Sequence, residues 1–313
     1  MDRPVAELIN VTKHFRSNWT FRSTRAVEDL SFAIEEGEVL GLIGHNGAGK
    51  TTTFKLLLGL LRPTAGALRW EGRPLEWHYP RQGIGFSPEH PYFYDYLTVS
   101  ETLNFYGQLY GLDTATRRAR IDELVERFRI GNQLNVPMRT LSKGTLQRVA
   151  VAQAIMHRPR LAILDEPMSG LDPVGRKEMR ELIASLKLSG TTVLFSSHIL
   201  SDAEALCDRV AILASGKLEE VVDLHTTVAL PISYALTIVG APCRLLEALG
   251  RLATEPPSGG PDRWTLRLTD RSAVHTALAE IQGTAARVEA LIPERPSLEQ
   301  RFLRHVSAGF NGE

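Results

Sequence analysis

The residues Gly44-His45-Asn46-Gly47-Ala48-Gly49-Lys50-Thr51-Thr52 combine three glycines, a lysine and two hydroxyls at the spacing G-x-x-x-x-G-K-T. Glycine at 44, 47 and 49 lets the backbone take turns that a side chain forbids, so that successive N–H groups can wrap an anion. A helix starting at the end of such a loop adds the positive end of its dipole. Lys50 can then reach the β- and γ-phosphates of a nucleotide, and the Thr51 hydroxyl can ligate Mg²⁺. A second cluster, Asp165-Glu166, ends the apolar run Leu161–Leu164. Paired acids at a strand end can simply cap the following turn; after a phosphate loop they read as a Mg²⁺-holding acid and a water-activating base. The third cluster, Ser196-Ser197-His198, closes another apolar run, and a lone histidine is more often structural than chemical.

These clusters need elements that hold them still. Val39–Ile43 has the pattern of a buried strand and Thr51–Leu61 that of a buried helix, so the glycine loop is a strand-to-helix turn. Leu161–Leu164 and Thr192–Phe195 are further buried strands. Upstream, VAELINV and AVEDLSFAI suggest short strands joined by a long polar and aromatic connection, HFRSNWTFRSTR; Trp19 and Phe21 there can pack over a sheet edge. Gly66–Leu75 resembles a strand pair with Glu71-Gly72-Arg73 at its tip. Ile84–Glu89 reads as a strand ending at Pro88, followed by the aromatic segment Pro91–Leu97. Apolar spacing predicts helices over Leu97–Leu112 and Arg117–Ile130, within a mostly helical subdomain of about residues 98–158. There Leu141-Ser142-Lys143-Gly144-Thr145 is expected as a loop preceding a helix over Leu146–Met156.

Composition narrows the function classes. Lys plus Arg and Asp plus Glu are each 36 in 313 residues, a formal net charge of +0, which argues against an extended nucleic-acid surface. Cys207 and Cys243 are far apart and lack metal-ligand spacing, so neither a disulfide framework nor a zinc site is suggested, and a reducing compartment fits. The opening MDRPVAELINV lacks the apolar core of a signal peptide, and no run of about 18 apolar residues marks a membrane span.

Five motifs in order, Gly44–Thr52, Leu141–Thr145, Leu164–Glu166, Ser169-Gly170-Leu171-Asp172 and His198, resemble the ATP-binding subunit of an ABC transporter. The resemblance covers about residues 4–222. It implies an α/β fold: a P-loop NTPase of ABC type with an antiparallel β subdomain and a helical signature subdomain. It implies ATP and Mg²⁺ as ligands, with Gly44–Thr52 as the Walker A loop, Asp165 as the Walker B carboxylate and Glu166 as general base. His198 matches the switch histidine that contacts γ-phosphate. Phe15 stands where the family places an aromatic under the adenine, a role that Trp19 or Phe21 could take instead. Leu141, Ser142, Lys143, Gly144 and Thr145 match the signature that binds the ATP of an opposite subunit, and Asp172 matches the D-loop at that dimer interface. The signature departs from the usual LSGGQ, with Lys143 for a glycine and Thr145 for a glutamine. Glu89 stands where the family has the Q-loop glutamine, and a carboxylate there can bind Mg²⁺ or water.

By the same resemblance the partners are a membrane permease on a separate chain and a second ATP-binding subunit, expected as a homodimer, with no nucleic acid. The expected location is the cytoplasmic side of the cell membrane, held peripherally. The segment Pro91–Tyr96 lies where the family's motor meets its membrane partner, and its aromatics read equally as core. After Asp223 lysine disappears, and PPSGGPDR interrupts strand-like segments. Strands over Ala235–Gly240, Trp264–Thr269 and Arg287–Ile292, with helices over Pro242–Leu249, Ser272–Ile281 and Ser297–Val306, suggest a small α+β accessory domain over 223–313. Its ending PSLEQRFL resembles domains appended to ATP subunits of bacterial ABC-2-type exporters; capping the motor, widening the dimer interface and regulation all remain open for it. The alternative is a soluble ABC-type mechanical ATPase of translation or DNA repair. The single Walker A loop and the modest spacing from Thr52 to Thr140 disfavour it, and the signature disfavours a P-loop kinase.

Overall fold

Buried strands set the frame. In the computed structural model, which describes residues 4–16, 23–75, 83–224, 233–260 and 262–294, β3 (Val39–Ile43) has every residue buried. So have β7 (Leu161–Leu164) and β8 (Thr192–Ser197). Continuous apolar runs of this kind belong to parallel strands covered on both faces. With β6 (Ile84–Ser87), β9 (Arg209–Ala214) and β10 (Lys217–Asp223), they make a six-stranded sheet in the order β10-β9-β3-β8-β7-β6. All neighbours pair in parallel except β10 with β9.

A second, antiparallel sheet has the order β2-β1-β4-β5, from β1 (Ala6–Arg16), β2 (Ser23–Ile34), β4 (Ala65–Trp70) and β5 (Arg73–Pro74). Leu8, Val11, Val27, Leu30 and Ile34 of this sheet share one core with Leu40, Leu42, Ile163, Leu194 and Leu213 of the other, and with Phe54 and Leu56 of α1 (Lys50–Leu57). The first two strands are longer than their apolar patterns predict. Backbone pairing carries His14, Phe15 and Arg16 opposite Arg25, Thr24 and Ser23, so part of the expected connection is hairpin. Trp19 and Phe21 lie outside the described residues.

Helix α1 is shorter than the expected Thr51–Leu61. The chain turns at Gly59, which takes the left-handed φ of 70° that suits glycine, and Leu60 beyond it is exposed. The helical region contains α2 (Val99–Leu109), α3 (Thr114–Phe128) and α4 (Lys143–Ala154). Thr98 and Glu101 form a capping box at α2, and Asp113 caps α3. Helix α4 starts at Lys143, not at the expected Leu146, because Ser142 caps it by accepting a bond from the Thr145 N–H at 3.3 Å. The segment Leu141–Thr145 is therefore a helix start, not a loop before one. Of the aromatics after Glu89, Phe93 is core and sits edge-on to Tyr106 at 6.0 Å, whereas Tyr92, Tyr94 and Tyr96 are exposed.

α5 (Pro173–Leu188) precedes β8, and α6 (Leu200–Leu206) follows it. These elements belong to one compact unit, which holds the described residues through Leu224; those from Ser233 onward form another. The second unit runs β11 (Ser233–Val239), α7 (Cys243–Gly250), β12 (Ser258–Gly260), β13 (Arg263–Leu268), α8 (Arg271–Ile281) and β14 (Arg287–Glu294). Its antiparallel sheet has the order β12-β13-β11-β14, a split β-α-β arrangement. Leu236, Ile238, Leu266 and Leu268 pack against Leu245, Leu249, Val274 and Ile281 of its helices. The expected interruption at PPSGGPDR contains the short edge strand β12, paired with β13 through Ser258, Gly259 and Gly260. The helix predicted over Ser297–Val306 lies outside the described residues.

Candidate nucleotide site

Strands β3, β7 and β8 are adjacent and parallel, so the segments that leave their C-terminal ends converge. Gly49, the residue before α1, has φ 104°, and a Cβ there would stand 2.7 Å from the Ala26 carbonyl oxygen, so only glycine fits. His45 to Thr52 line a cleft with Ala26, Glu89, Asp165 and Glu166. Lys50 donates to the carbonyl of Gly44 at 2.6 Å and to that of His45 at 3.3 Å, which holds its ammonium within its own loop. The same ammonium lies 3.4 Å from Glu166 Oε1, the two side chains being only 7% and 9% exposed.

The other Glu166 oxygen, Oε2, is 2.9 Å from His198 Nδ1, so the carboxylate is held between an ammonium and an imidazole. Glu166 itself has φ 47°, a left-handed conformation uncommon for a residue with a side chain. Asp165 points its Oδ2 at the Thr51 hydroxyl, which donates to it at 3.0 Å. A hydroxyl and a carboxylate side by side are hard oxygen donors of the kind that bind Mg²⁺ together with substrate phosphates. Among the described residues no group of three or more His, Cys, Asp or Glu is arranged to hold a metal, so a cage made only of such side chains is not what the fold offers. The donor set fits a metal shared with a nucleotide.

The structure thus brings together the loop, Glu89, Asp165 and Glu166, with His198 joined by a hydrogen bond. Glu89 is half-exposed, with the His90 ring 3.9 Å away. Phe15 does not line the cleft; it is 41% exposed, with the Lys13 ammonium 5.4 Å from its ring centre. Leu141, Ser142, Lys143, Gly144 and Thr145 are also absent from the lining, as is Asp172. These last two groups are neighbours of each other. A Cβ on Gly170 would collide with the Lys143 ammonium, and one on Gly144 would stand 3.8 Å from Leu171. Asp172 caps α5, accepting from the Gly175 N–H at 2.7 Å. One residue beside the site was not singled out by sequence reasoning: Ser196, which hydrogen-bonds both Asp165 and the backbone of Glu166. Its signal was its place at the end of a buried strand beside the acid-bearing one.

A phosphate loop at the C-terminal end of an interior parallel strand, with two carboxylates ending a strand two places along the same sheet, defines a P-loop nucleoside triphosphatase. The profile of the family described as ABC transporter matches residues 27–169. An uncharacterised ABC transporter ATP-binding protein of Synechocystis sp. is 38% identical over 306 residues, covering 96% of this chain and 84% of that protein. The Nod factor export ATP-binding protein I of Ralstonia nicotianae is 39% identical over 193 residues, covering 61% of this chain and 60% of its own. Among solved structures, CbiO1 of Clostridium perfringens, described as part of the ABC transporter complex CbiONQ, has a TM-score of 0.64 at 25% identity, over 73% of this chain and 92% of that one. The chain belongs to the ABC transporter ATP-binding proteins, a family that binds and hydrolyses ATP.

Proposed function

We propose that this chain hydrolyses ATP with Mg²⁺ and that the resulting cycle drives a permease carried on a separate polypeptide, in export. The observation that carries this reading is the convergence of Lys50, Thr51, Asp165, Glu166 and His198 through contacts of 2.9–3.4 Å at the C-terminal ends of β3, β7 and β8. The amides of Gly44, His45, Asn46, Gly47, Ala48, Gly49, Lys50, Thr51 and Thr52 wrap the phosphates, and the Lys50 ammonium offsets their charge. Phe15 lies outside the cleft that takes the phosphates, and its exposed ring is assigned to the adenine by the resemblance alone. Thr51 and Asp165, with Glu89 from the same cleft lining, would hold Mg²⁺, which would supply positive charge to offset that of the phosphates. Glu166 takes the proton of the attacking water. His198 orients that carboxylate from Oε2 and stands ready for the γ-phosphate.

The signature Leu141–Thr145 and Asp172 act on ATP held by a second copy in a homodimer. Their absence from the cleft of their own chain supports this, since they have no phosphate to serve there. No helix among the described residues is long and apolar enough to cross a membrane. The exposed Tyr92, Tyr94 and Tyr96 supply an aromatic surface for docking it from the cytoplasmic side. The export-named relative of R. nicotianae supports the direction. The test is affinity capture from solubilised membranes, with Mg²⁺-dependent ATPase assayed on the captured complex. A multi-span protein should be recovered; ribosomes or DNA without any membrane protein would overturn the assignment.

A further inference from the structure

Ser196 is fully buried near the end of β8, and none of the roles assigned above uses it. Pairing of Leu164 with Phe195 sets the residues that follow them, Asp165 and Ser196, beside each other. The Ser196 hydroxyl donates to Asp165 Oδ1 at 2.7 Å and accepts from the Glu166 backbone N–H at 2.8 Å. A hydroxyl has one proton to give and lone pairs to receive, so both bonds form at once with no competition. With the Thr51 hydroxyl on Oδ2, both oxygens of Asp165 are oriented by hydroxyl groups. The bond to the Glu166 N–H also pins the residue whose φ of 47° persists only where the surroundings over-determine it. The neighbouring Ser197 does something else: its hydroxyl accepts from the Ile199 N–H at 2.9 Å, in the turn before α6.

We infer that Ser196 is a positioning residue that sets the metal-facing carboxylate of Asp165 and the backbone of Glu166 with a single hydroxyl. This rests on the reading of Asp165 as the Mg²⁺ acid. Partners that orient a metal-binding carboxylate typically change metal affinity or activity about 10- to 100-fold when removed. The probe is Mn²⁺, followed by electron paramagnetic resonance in the presence of a non-hydrolysable ATP analogue. Metal-free binding of that analogue and thermal unfolding are measured beside it. Ser196→Ala should weaken Mn²⁺ by about 10- to 100-fold and raise the Mg²⁺ needed for half-maximal turnover to match. Metal-free analogue binding should be unchanged, which a general loss of structure would not allow. Ser196→Cys fills the site with a somewhat larger atom and a far weaker hydrogen-bonding group and should fall in the same direction; it carries the test if the alanine variant does not fold. Wild-type Mn²⁺ affinity in either folded variant overturns the proposal. Asp165→Asn separates the two layers: if it lowers Mn²⁺ affinity and the Ser196 variants do not, only the role of Ser196 fails. If Asp165→Asn also binds Mn²⁺ normally, the metal reading itself fails.

Discussion

Replacing Glu166 with glutamine isolates the proposed base, because the side chain keeps its shape and loses its ability to accept a proton. The carboxylate lies 3.4 Å from the Lys50 ammonium and 2.9 Å from the His198 ring. Glutamine can still offer its carbonyl oxygen to one of these and turns its amide NH₂, a donor, toward the other. Loss of general-base catalysis removes about 10²–10⁴ in rate, or about 3–5.5 kcal/mol of barrier stabilisation. The cost to folding is smaller than the roughly 3–5 kcal/mol of breaking a buried ion pair, since Lys50 keeps its bonds to the carbonyls of Gly44 and His45. Steady-state ATPase activity should therefore fall by at least about two orders of magnitude, with nucleotide affinity preserved and ATP trapping a dimer on size-exclusion chromatography. Near-normal turnover by Glu166→Gln would refute the assignment and direct attention to His198 and Glu89.

If the signature serves the ATP of another copy, Lys50→Ala and Ser142→Arg chains should each be inactive alone and regain activity when mixed, because one composite site in the mixed dimer is intact. Full-rate turnover by monomers verified in the ultracentrifuge would sink the half-site argument. Of the two cysteines, Cys243 is exposed, whereas burial, with the nearby charges of Asp208 and Glu38, pushes the Cys207 thiol well up. A thiol reagent at neutral pH should therefore modify Cys243 rapidly and Cys207 only on unfolding; equal rates in the native protein would contradict the burial. His157, stacked on Tyr110 at 4.0 Å, is held below its usual pKa by desolvation, against the pull of its contact with the Ile84 carbonyl. The unfolded chain then binds this proton more readily, so the contribution is present above about pH 6.5 and is lost as pH falls from there toward the native pKa. Urea unfolding at pH 7.5 and 5.5 should show a smaller acid loss in His157→Phe than in the unsubstituted protein.

The sequence by itself determined the local parts of this protein. Strand, glycine loop and helix around Lys50 are adjacent in the chain, and their pattern is written in glycine spacing and apolar period. Asp165-Glu166 likewise announces itself as a strand end. Cap chemistry was also local: Ser142 followed by Thr145 is a helix start, and the apolar pattern alone placed that start three residues late. Tertiary structure decided what long-range contact controls. Polar residues such as His14 and Arg25 extend a hairpin because the opposite strand supplies their backbone partners, which no periodicity records. Phe93 is core while its tyrosine neighbours face outward because packing against Tyr106 separates residues of similar apolarity. The grip of Ser196 on Asp165 and Glu166 spans about thirty residues of sequence and exists only because β8 is hydrogen-bonded beside β7. A residue's type states which bonds it can make; sheet order decides which atoms come within 3 Å to make them.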